Sequence, residues 1–363
     1  MKPKIAIIGL GLMGGSLGLI LTKAGYRVTG WSRNAETRNE AYRIGAINLL
    51  PASFEEAVTE AEYIFVGTPV GSIGKIIKDC LPFTAPGTIF SDLGSIKEAI
   101  MNEVFAFLPD THYFVGAHPM TGSEQQGITA ADPFLYQNAT YIMIDDPRTP
   151  SGAVEKVENL LQVTGANLIH LTATEHDRIV AMVSHLPHMI ASTLAKTAGM
   201  EEDKFPGTLN LAAGGFRDTT RVALGAPEVW ESIITGNRLR IIEAISSFQN
   251  ELQQLKEILS SSDNEKLVKF LSKAREIRTQ IPAKNKGYLT LLHEMVVTIE
   301  DRPGAIEEVL RHLAEAGLNI KDIEILRVRE GEGGTLRLAF ENSSAVDRSV
   351  EALEAEGFKV RKK

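Results

Sequence analysis

The chain lacks most of what would mark a secreted, fibrous or nucleic-acid-binding protein. It has one cysteine, Cys80, in 363 residues, so no disulfide framework can form within it and a reducing cytoplasm is the expected setting. Cys80 follows a helical-looking run with no metal-ligand spacing nearby, and reads as a small buried side chain. An excess of positive charge is also missing. The net charge of -8 argues against a phosphate-backbone partner, although local basic residues decide whether a small anion is met. Long unbroken apolar runs are absent too. The uncharged stretch from Ile5 to Leu21, preceded by Lys2 and Lys4, is interrupted by Gly9, Gly11, Gly14, Gly15 and Gly18. No convincing cleavage site follows it, and its length is marginal for a membrane span. It reads instead as a buried strand, a glycine turn and a packed helix. There is no long internal repeat and no low-complexity tract. The composition, 44% hydrophobic and 23% charged, is that of a globular protein. The length exceeds what one core usually serves, so two or three domains are expected.

Short apolar runs alternate with helical stretches through the first half. Strands are predicted at Lys4–Ile8, Arg27–Trp31, Tyr63–Gly67, Thr88–Asp92, Tyr113–Gly116, Thr140–Ile144 and Asn167–Leu171. This pattern predicts an α/β domain over 1–172, a Rossmann-type doubly wound, mainly parallel sheet, with the later strands departing from strict alternation. From 173 to 281 only helical spacing is seen, through Ile179, Val183 and Leu186, then Ile233, Ile241, Ile245, Leu252 and Leu259. Pro227 sits where a first-turn proline belongs. An all-α domain that dimerises is expected there. Residues 282–290, including PAKNKG, read as a linker. Residues 291–363 show the order βαββαβ, which predicts a ferredoxin-like α+β module. Its second strand is expected to begin at Asn319 and Ile320, and a Gly-rich turn is read at Gly331–Gly334.

Gly9-Leu10-Gly11-Leu12-Met13-Gly14 places G-x-G-x-x-G directly between a strand and a helix. The first glycine permits the tight turn, the second the approach of a pyrophosphate, and the third close helix–strand packing. Free N–H groups and the positive end of the helix would face the phosphates. The first turn of that helix, Leu12 and Met13 included, is therefore assigned to an NAD(P) site. After the second strand the sequence is Gly30-Trp31-Ser32-Arg33-Asn34, without the acid that usually holds an NAD ribose. Ser32 and Arg33 suit a 2′-phosphate better, so NADP is favoured over NAD. Arg33 lying over the adenine face or pointing to solvent are the other readings. Thr68 and Pro69, after the Tyr63 strand, would lie beside the cofactor if that strand neighbours the first.

Three further clusters carry chemistry. Ser91-Asp92-Leu93-Gly94-Ser95-Ile96-Lys97 follows a strand, and so does Gly116-Ala117-His118-Pro119-Met120-Thr121-Gly122-Ser123-Glu124. Both should lie at the ligand-binding edge of the sheet, with His118 in a loop. Ser184-His185-Leu186-Pro187-His188 and Gly214-Gly215-Phe216-Arg217-Asp218-Thr219-Thr220-Arg221 lie in the helical half. His185 and His188, three apart, share a helix face, but no acid or cysteine completes a metal set there. No metal site is expected.

Together the glycine loop, GAHPMTGSE, SHLPH and GGFRDTTR resemble the prephenate dehydrogenase family, arogenate-using members included. The matching pieces run in order from the glycine loop to Trp230. The C-terminal module resembles an ACT domain. The resemblance implies oxidative decarboxylation of a cyclohexadienyl dicarboxylate with NAD(P)+, in tyrosine biosynthesis. It implies His118 as the base at the C4 hydroxyl, a task that suits an imidazole titrating near working pH. Ser95 would bond to that hydroxyl or to His118. Arg221 would hold a carboxylate, as a guanidinium can bidentately. His188 and Ser123 would face the substrate's side chain, Asp218 would orient nearby cations, and Trp230 would close the pocket. Asp218 and Arg221 could equally pair on a surface. His185 reads as a packing residue. His112, His170, His176, His293 and His312 read as structural or exposed. In the ACT-like module, Asp301, Pro303, Gly304, Ala305, Asn319 and Ile320 would bind a regulatory amino acid, tyrosine being the natural effector. A dimerisation module without ligand is the other reading. Beyond a small-molecule substrate and a second copy of the chain, no nucleic acid or membrane partner is expected. An amino-acid-responsive dinucleotide-binding regulator without turnover is the competing class. A β-hydroxyacid dehydrogenase would need a catalytic lysine in the helical half, and SHLPH and GGFRDTTR suit it poorly.

Overall fold

Four consecutive residues of the first strand, Ile5 to Ile8, are at most 2% exposed. Such a run, buried on both faces, belongs in the middle of a parallel sheet. The computed structural model describes residues 2–122, 125–281, 293–329 and 333–362, the side chains of 326–329 and 333 excepted. Its contacts divide the chain into two units, Met1–Asn285 and Lys286–Lys363.

The first unit begins with β1 (Lys4–Ile8), α1 (Leu12–Lys23), β2 (Arg27–Trp31), α2 (Ala35–Arg43), α3 (Phe54–Val58), β3 (Tyr63–Val66), α4 (Ile73–Cys80), β4 (Ile89–Asp92), α5 (Glu98–Phe105) and β5 (Tyr113–Val115). The five strands form one parallel sheet in the order β2-β1-β3-β4-β5. Leu49 adds an isolated parallel bridge to Thr29 of β2. The strand order reverses between β1 and β3, and ligands bind outside the carboxyl ends of strands at such a point. Two apolar cores cover the faces. Leu17, Leu21, Val28 and Phe65 lie in one, and Ile64, Ile77, Phe90 and Phe114 in the other.

The departure from alternation takes a definite form. β6 (Ala117–Pro119), β7 (Thr140–Ile144) and β8 (Asn167–Leu171) make a separate three-stranded sheet. In it β6 runs antiparallel to β7, and β8 parallel. α6 (Ser151–Leu161) joins the latter two. His118 is therefore not in a loop: it sits in β6, opposite Ile142. The reason is tertiary. The N–H of Ala117 donates to Asp92 and its carbonyl accepts from Lys97, which holds the segment extended beside β7.

The rest of the unit is helical: α7 (Ala173–Val180), α8 (Leu186–Glu202), α9 (Gly214–Thr220), α10 (Pro227–Gly236), α11 (Arg238–Ser260) and α12 (Asn264–Gln280). A capping box of Thr172 and Glu175 starts α7, satisfying otherwise orphaned N–H groups. A π-helical turn, Ala181–His185, joins α7 to α8. Such turns shift the helix phase and are frequent at functional sites. Leu211, Leu224 and Leu239 are 84%, 83% and 75% exposed, far more apolar surface than helices leave to water once packed. Among the described residues, no helix is long and apolar enough to cross a membrane.

The second unit holds β9 (His293–Ile299), α13 (Ala305–Glu315), β10 (Asp322–Arg329), β11 (Gly333–Phe340), α14 (Ser343–Ala355) and β12 (Lys359–Lys362). The antiparallel order β10-β11-β9-β12 is that of a ferredoxin-like fold. β10 begins at Asp322, opposite Ala339, and not at Asn319. Asn319 and Ile320 precede the ladder, in the approach from α13. The linker at 282–290 and the first half of the Gly-rich turn, Gly331 and Glu332, lie outside the described residues.

Candidate active site

Two features follow the carboxyl ends of the parallel strands. The first is a cleft of about 740 Å³ lined by Gly9, Leu10, Gly11, Ser32, Arg33, Thr37, Gly67, Thr68, Pro69, Gly127, Glu228 and Ser232, among others. It opens over the β1/β3 switch point. Gly9 has φ +106°, and a Cβ there would come within 2.6 Å of the Gly67 carbonyl group. At Gly14 a Cβ would run into the carbonyl oxygen of Gly9. The strands and α1 can approach this closely only because side chains are missing. Gly14 is thus a buried packing glycine behind the cleft. Leu12 and Met13 stand half-buried in the first turn of α1 and are not among the residues lining it. Ser32 and Arg33 do line it, with Arg33 exposed. Arg38, which no motif singles out, lies 4.1 Å over the Trp31 ring and donates to the Ser32 carbonyl at 2.6 Å. The residues present suit a dinucleotide: a side-chain-free turn, a helix start and an open ribose corner with a cation on its rim.

The second structure is a chain of buried polar side chains around His118. Asp92 at the end of β4 forms a fully buried ion pair with Lys97 and accepts from the N–H groups of Gly94 and Ala117. These contacts fix the start of β6. The half-buried His118 ring makes its hydrogen bond through Nδ1, 2.8 Å from Nε2 of His176. Nδ1 of His176 lies 2.7 Å from Asp177 Oδ1. The Asp177 carboxylate also accepts from the backbone N–H of Lys97 at 2.7 Å and of Glu98 at 2.8 Å, capping the start of α5. Burial drives the His118 pKa well below the ordinary histidine value, and the nearby Lys97 ammonium acts in the same direction. Burial also lowers His176, although Asp177 opposes it. Both rings are held neutral at neutral pH.

The chain continues into the helices. Asn237, between α10 and α11, donates to the Asp177 carbonyl at 2.8 Å and lies 3.2 Å from His185 Nδ1. Burial pushes His185 down to about 4. His185 meets Trp230 edge-on at 6.1 Å, and His188 stacks on Trp230 at 3.6 Å. His188 is 6% exposed, and its buried Nδ1 has no hydrogen-bond partner among the described residues. Such an atom calls for an explanation, and a ligand's donor or acceptor would supply it.

His118, His188 and Trp230 are therefore joined through one network. Ser95 is half-buried in the loop between Asp92 and Lys97. Asp218 and Arg221 are exposed, at α9 and the short turn after it. Ser123 lies outside the described residues. His176, read from sequence as structural or exposed, is fully buried beside the base. Its only sequence signal was an adjacent acid just inside a capped helix. His112 bonds to two threonines and His170 pairs with Asp145 and Glu158, away from this network. In the second unit, Asp301 and Ala305 line a cleft of about 720 Å³ with Arg302, Glu308, Phe358 and Lys359. Pro303, Gly304, Asn319 and Ile320 are not among its lining residues. Among the described residues, no group of three or more metal-ligating side chains is gathered.

Comparison with known proteins bears on all of this. Residues 17–170 match the family described as prephenate dehydrogenase, nucleotide-binding domain, and residues 172–273 match prephenate dehydrogenase, dimerization domain. The prephenate dehydrogenase of Bacillus subtilis (strain 168) is 32% identical over 358 residues, 98% of this chain and 96% of that protein. Two solved structures superpose on about three quarters of the chain. The arogenate dehydrogenase of Synechocystis is 29% identical with a TM-score of 0.69, covering 76% of this chain and 99% of its own. The prephenate dehydrogenase from A. aeolicus, in complex with hydroxyphenyl propionate and NAD+, is 26% identical with a TM-score of 0.70, covering 77% and 98%. With a relative that similar along nearly its whole length, the chain belongs to the prephenate dehydrogenase family.

Proposed function

We propose that the chain oxidises prephenate with NAD(P)+ to 4-hydroxyphenylpyruvate and carbon dioxide. The observation that carries this reading is His118: a neutral, half-buried imidazole on the nucleotide-binding unit, tied through Nδ1 into a buried network. A bound dinucleotide would supply the acceptor for the hydride on C4. His118 holds the C4 hydroxyl proton while the C4–O bond gains carbonyl character. The C1 carboxylate then leaves as carbon dioxide, the ring becomes aromatic, and the proton returns to the phenolic oxygen. No net proton is released, so the base needs a neutral resting state more than an exit path to solvent. Ser95 would share the hydroxyl hydrogen bond. Arg221 would hold a carboxylate and Asp218 would orient nearby cations. His188, with its orphaned Nδ1, would face the substrate's side chain beside Ser123, with Trp230 as the wall of the pocket.

Gly9, Gly11, Thr68 and Pro69 would hold the dinucleotide, with Leu12, Met13 and Gly14 forming the helix start behind the turn. Ser32 and Arg33 would take a 2′-phosphate, so NADP is the favoured form. The exposed leucines of the helical region support a homodimer, and the lone buried Cys80 supports the cytoplasm. The second unit would act as an ACT-like regulator, with a tyrosine effector in the cleft at Asp301 and Ala305. Arogenate is the second reading, favoured by the Synechocystis relative. A regulator without turnover leaves the buried base network without a purpose.

A steady-state assay crossing prephenate and arogenate with NAD+ and NADP+ tests the whole. Turnover of prephenate, faster with NADP+, is expected, with inhibition by added tyrosine. Absence of turnover with either acid would overturn the enzyme reading. Turnover of arogenate alone would replace the substrate.

A further inference from the structure

The hydrogen bonds around His118 carry a directional consequence. The Asp177 carboxylate is an acceptor, already receiving two backbone N–H groups. Its contact with Nδ1 of His176 at 2.7 Å therefore requires the proton on that nitrogen. His176 is buried and neutral, so its Nε2 is bare and can only accept. The His118 Nδ1 lying 2.8 Å away must then donate. A neutral imidazole carries one N–H proton, so Nε2 of His118 is left unprotonated. Among the described residues, Nδ1 makes the ring's only hydrogen bond.

We propose that His176 and Asp177 are positioning residues for the base: they lock His118 as its Nδ1–H tautomer and leave Nε2 bare to take the substrate's hydroxyl proton. This rests on His118 being the base. In the reaction, the O–H bond breaks and an Nε2–H bond forms. The ring becomes an imidazolium whose Nδ1–H still points at a neutral acceptor backed by a carboxylate. On aromatisation the Nε2–H bond breaks and the phenolic O–H forms, so the pair ends as it began. Without an acceptor at Nδ1, the two neutral tautomers would compete, and the Nε2–H form cannot accept the proton. A free imidazole favours neither form strongly enough to hold the correct one.

Two variants separate an acceptor from a mere filler. His176→Gln keeps an oxygen near the position of Nε2, while His176→Leu keeps bulk without one. With whichever acid the parent oxidises, the Leu variant should lose about 10²-fold in kcat, with KM within roughly threefold and dinucleotide binding retained. The Gln variant should recover to within about tenfold of the parent. A Leu variant with parental kcat, or Gln and Leu variants equally impaired, would overturn the proposal. If the Leu variant does not fold, the intact protein still decides. With 15N-labelled histidine, the His118 resonances should show Nδ1 protonated and Nε2 bare at neutral pH. A protonated Nε2 would refute it. That measurement needs no substrate, so failure of the lock can be told from failure of the proposed reaction, which would show as no turnover by the parent.

Discussion

Where a dinucleotide would lie, the protein withdraws its side chains: Gly9 and Gly67 nearly touch, and Gly14 leaves room for the carbonyl of Gly9. Around His118 it does the reverse. Asp92, Lys97, His176, Asp177 and Asn237 are all at most 3% exposed, and each is paired. One half of the site works through bare backbone, which every residue carries. The other works through specific side chains whose desolvation must be offset by hydrogen bonds. Damage should therefore differ in kind: bulk injures the first half, and loss of one polar atom injures the second.

The largest expected effect is in the crowded half. His118→Asn should lower kcat by roughly 10² to 10⁴ while dinucleotide binding persists. Parental turnover would remove the base and with it the contrast. Next is the bare half. Gly14→Val should weaken dinucleotide binding by about 10²-fold or more, since the added carbons meet the Gly9 backbone. Titration of NADPH and NADH fluorescence would show this, and unchanged affinity for both would mean the loop yields.

Acid should distinguish the halves as well. His118 is neutral until the pH falls well below the ordinary histidine value, so the acidic limb of kcat/KM should lie below pH 6.5. A limb at pH 7 or above would contradict that burial. Stability follows the same sign. His185, held down to about 4, takes up its proton more readily when unfolded. Its contribution is complete above pH 6.5 and shrinks as pH falls toward 4, by roughly 3 kcal/mol. The smallest effect belongs to the rim of the cleft. Arg33→Ala should reduce the NADP/NAD preference several-fold, worth about 1 kcal/mol for an exposed contact. An unaltered ratio would reassign the phosphate to another cation such as Arg38.

The two halves also differed in how far they could be read in the sequence. The glycine turn is local: six consecutive residues between a strand and a helix state its geometry, and five of the parallel strands follow from apolar runs of the same kind. His118 was identifiable by its motif, but its strand was not, because β6 exists only through Asp92, Lys97 and β7. The network behind it joins β6, α7 and the α10–α11 junction, elements some 60 residues or more apart. Nothing in the sequence around His176 indicates that its ring ends 2.8 Å from another histidine. Arg221 and Asp218 show the converse, conspicuous in sequence yet exposed on the helical region.

Asp177 has one carboxylate and two duties. It caps the start of α5, against the parallel sheet, and it grips His176 from α7 in the helical region. Any opening between sheet and helices therefore reaches the base without touching it: the cap slips, His176 turns, and His118 loses its preferred proton address. A single acid thus couples the seating of the helices on the sheet to the order of the histidine pair.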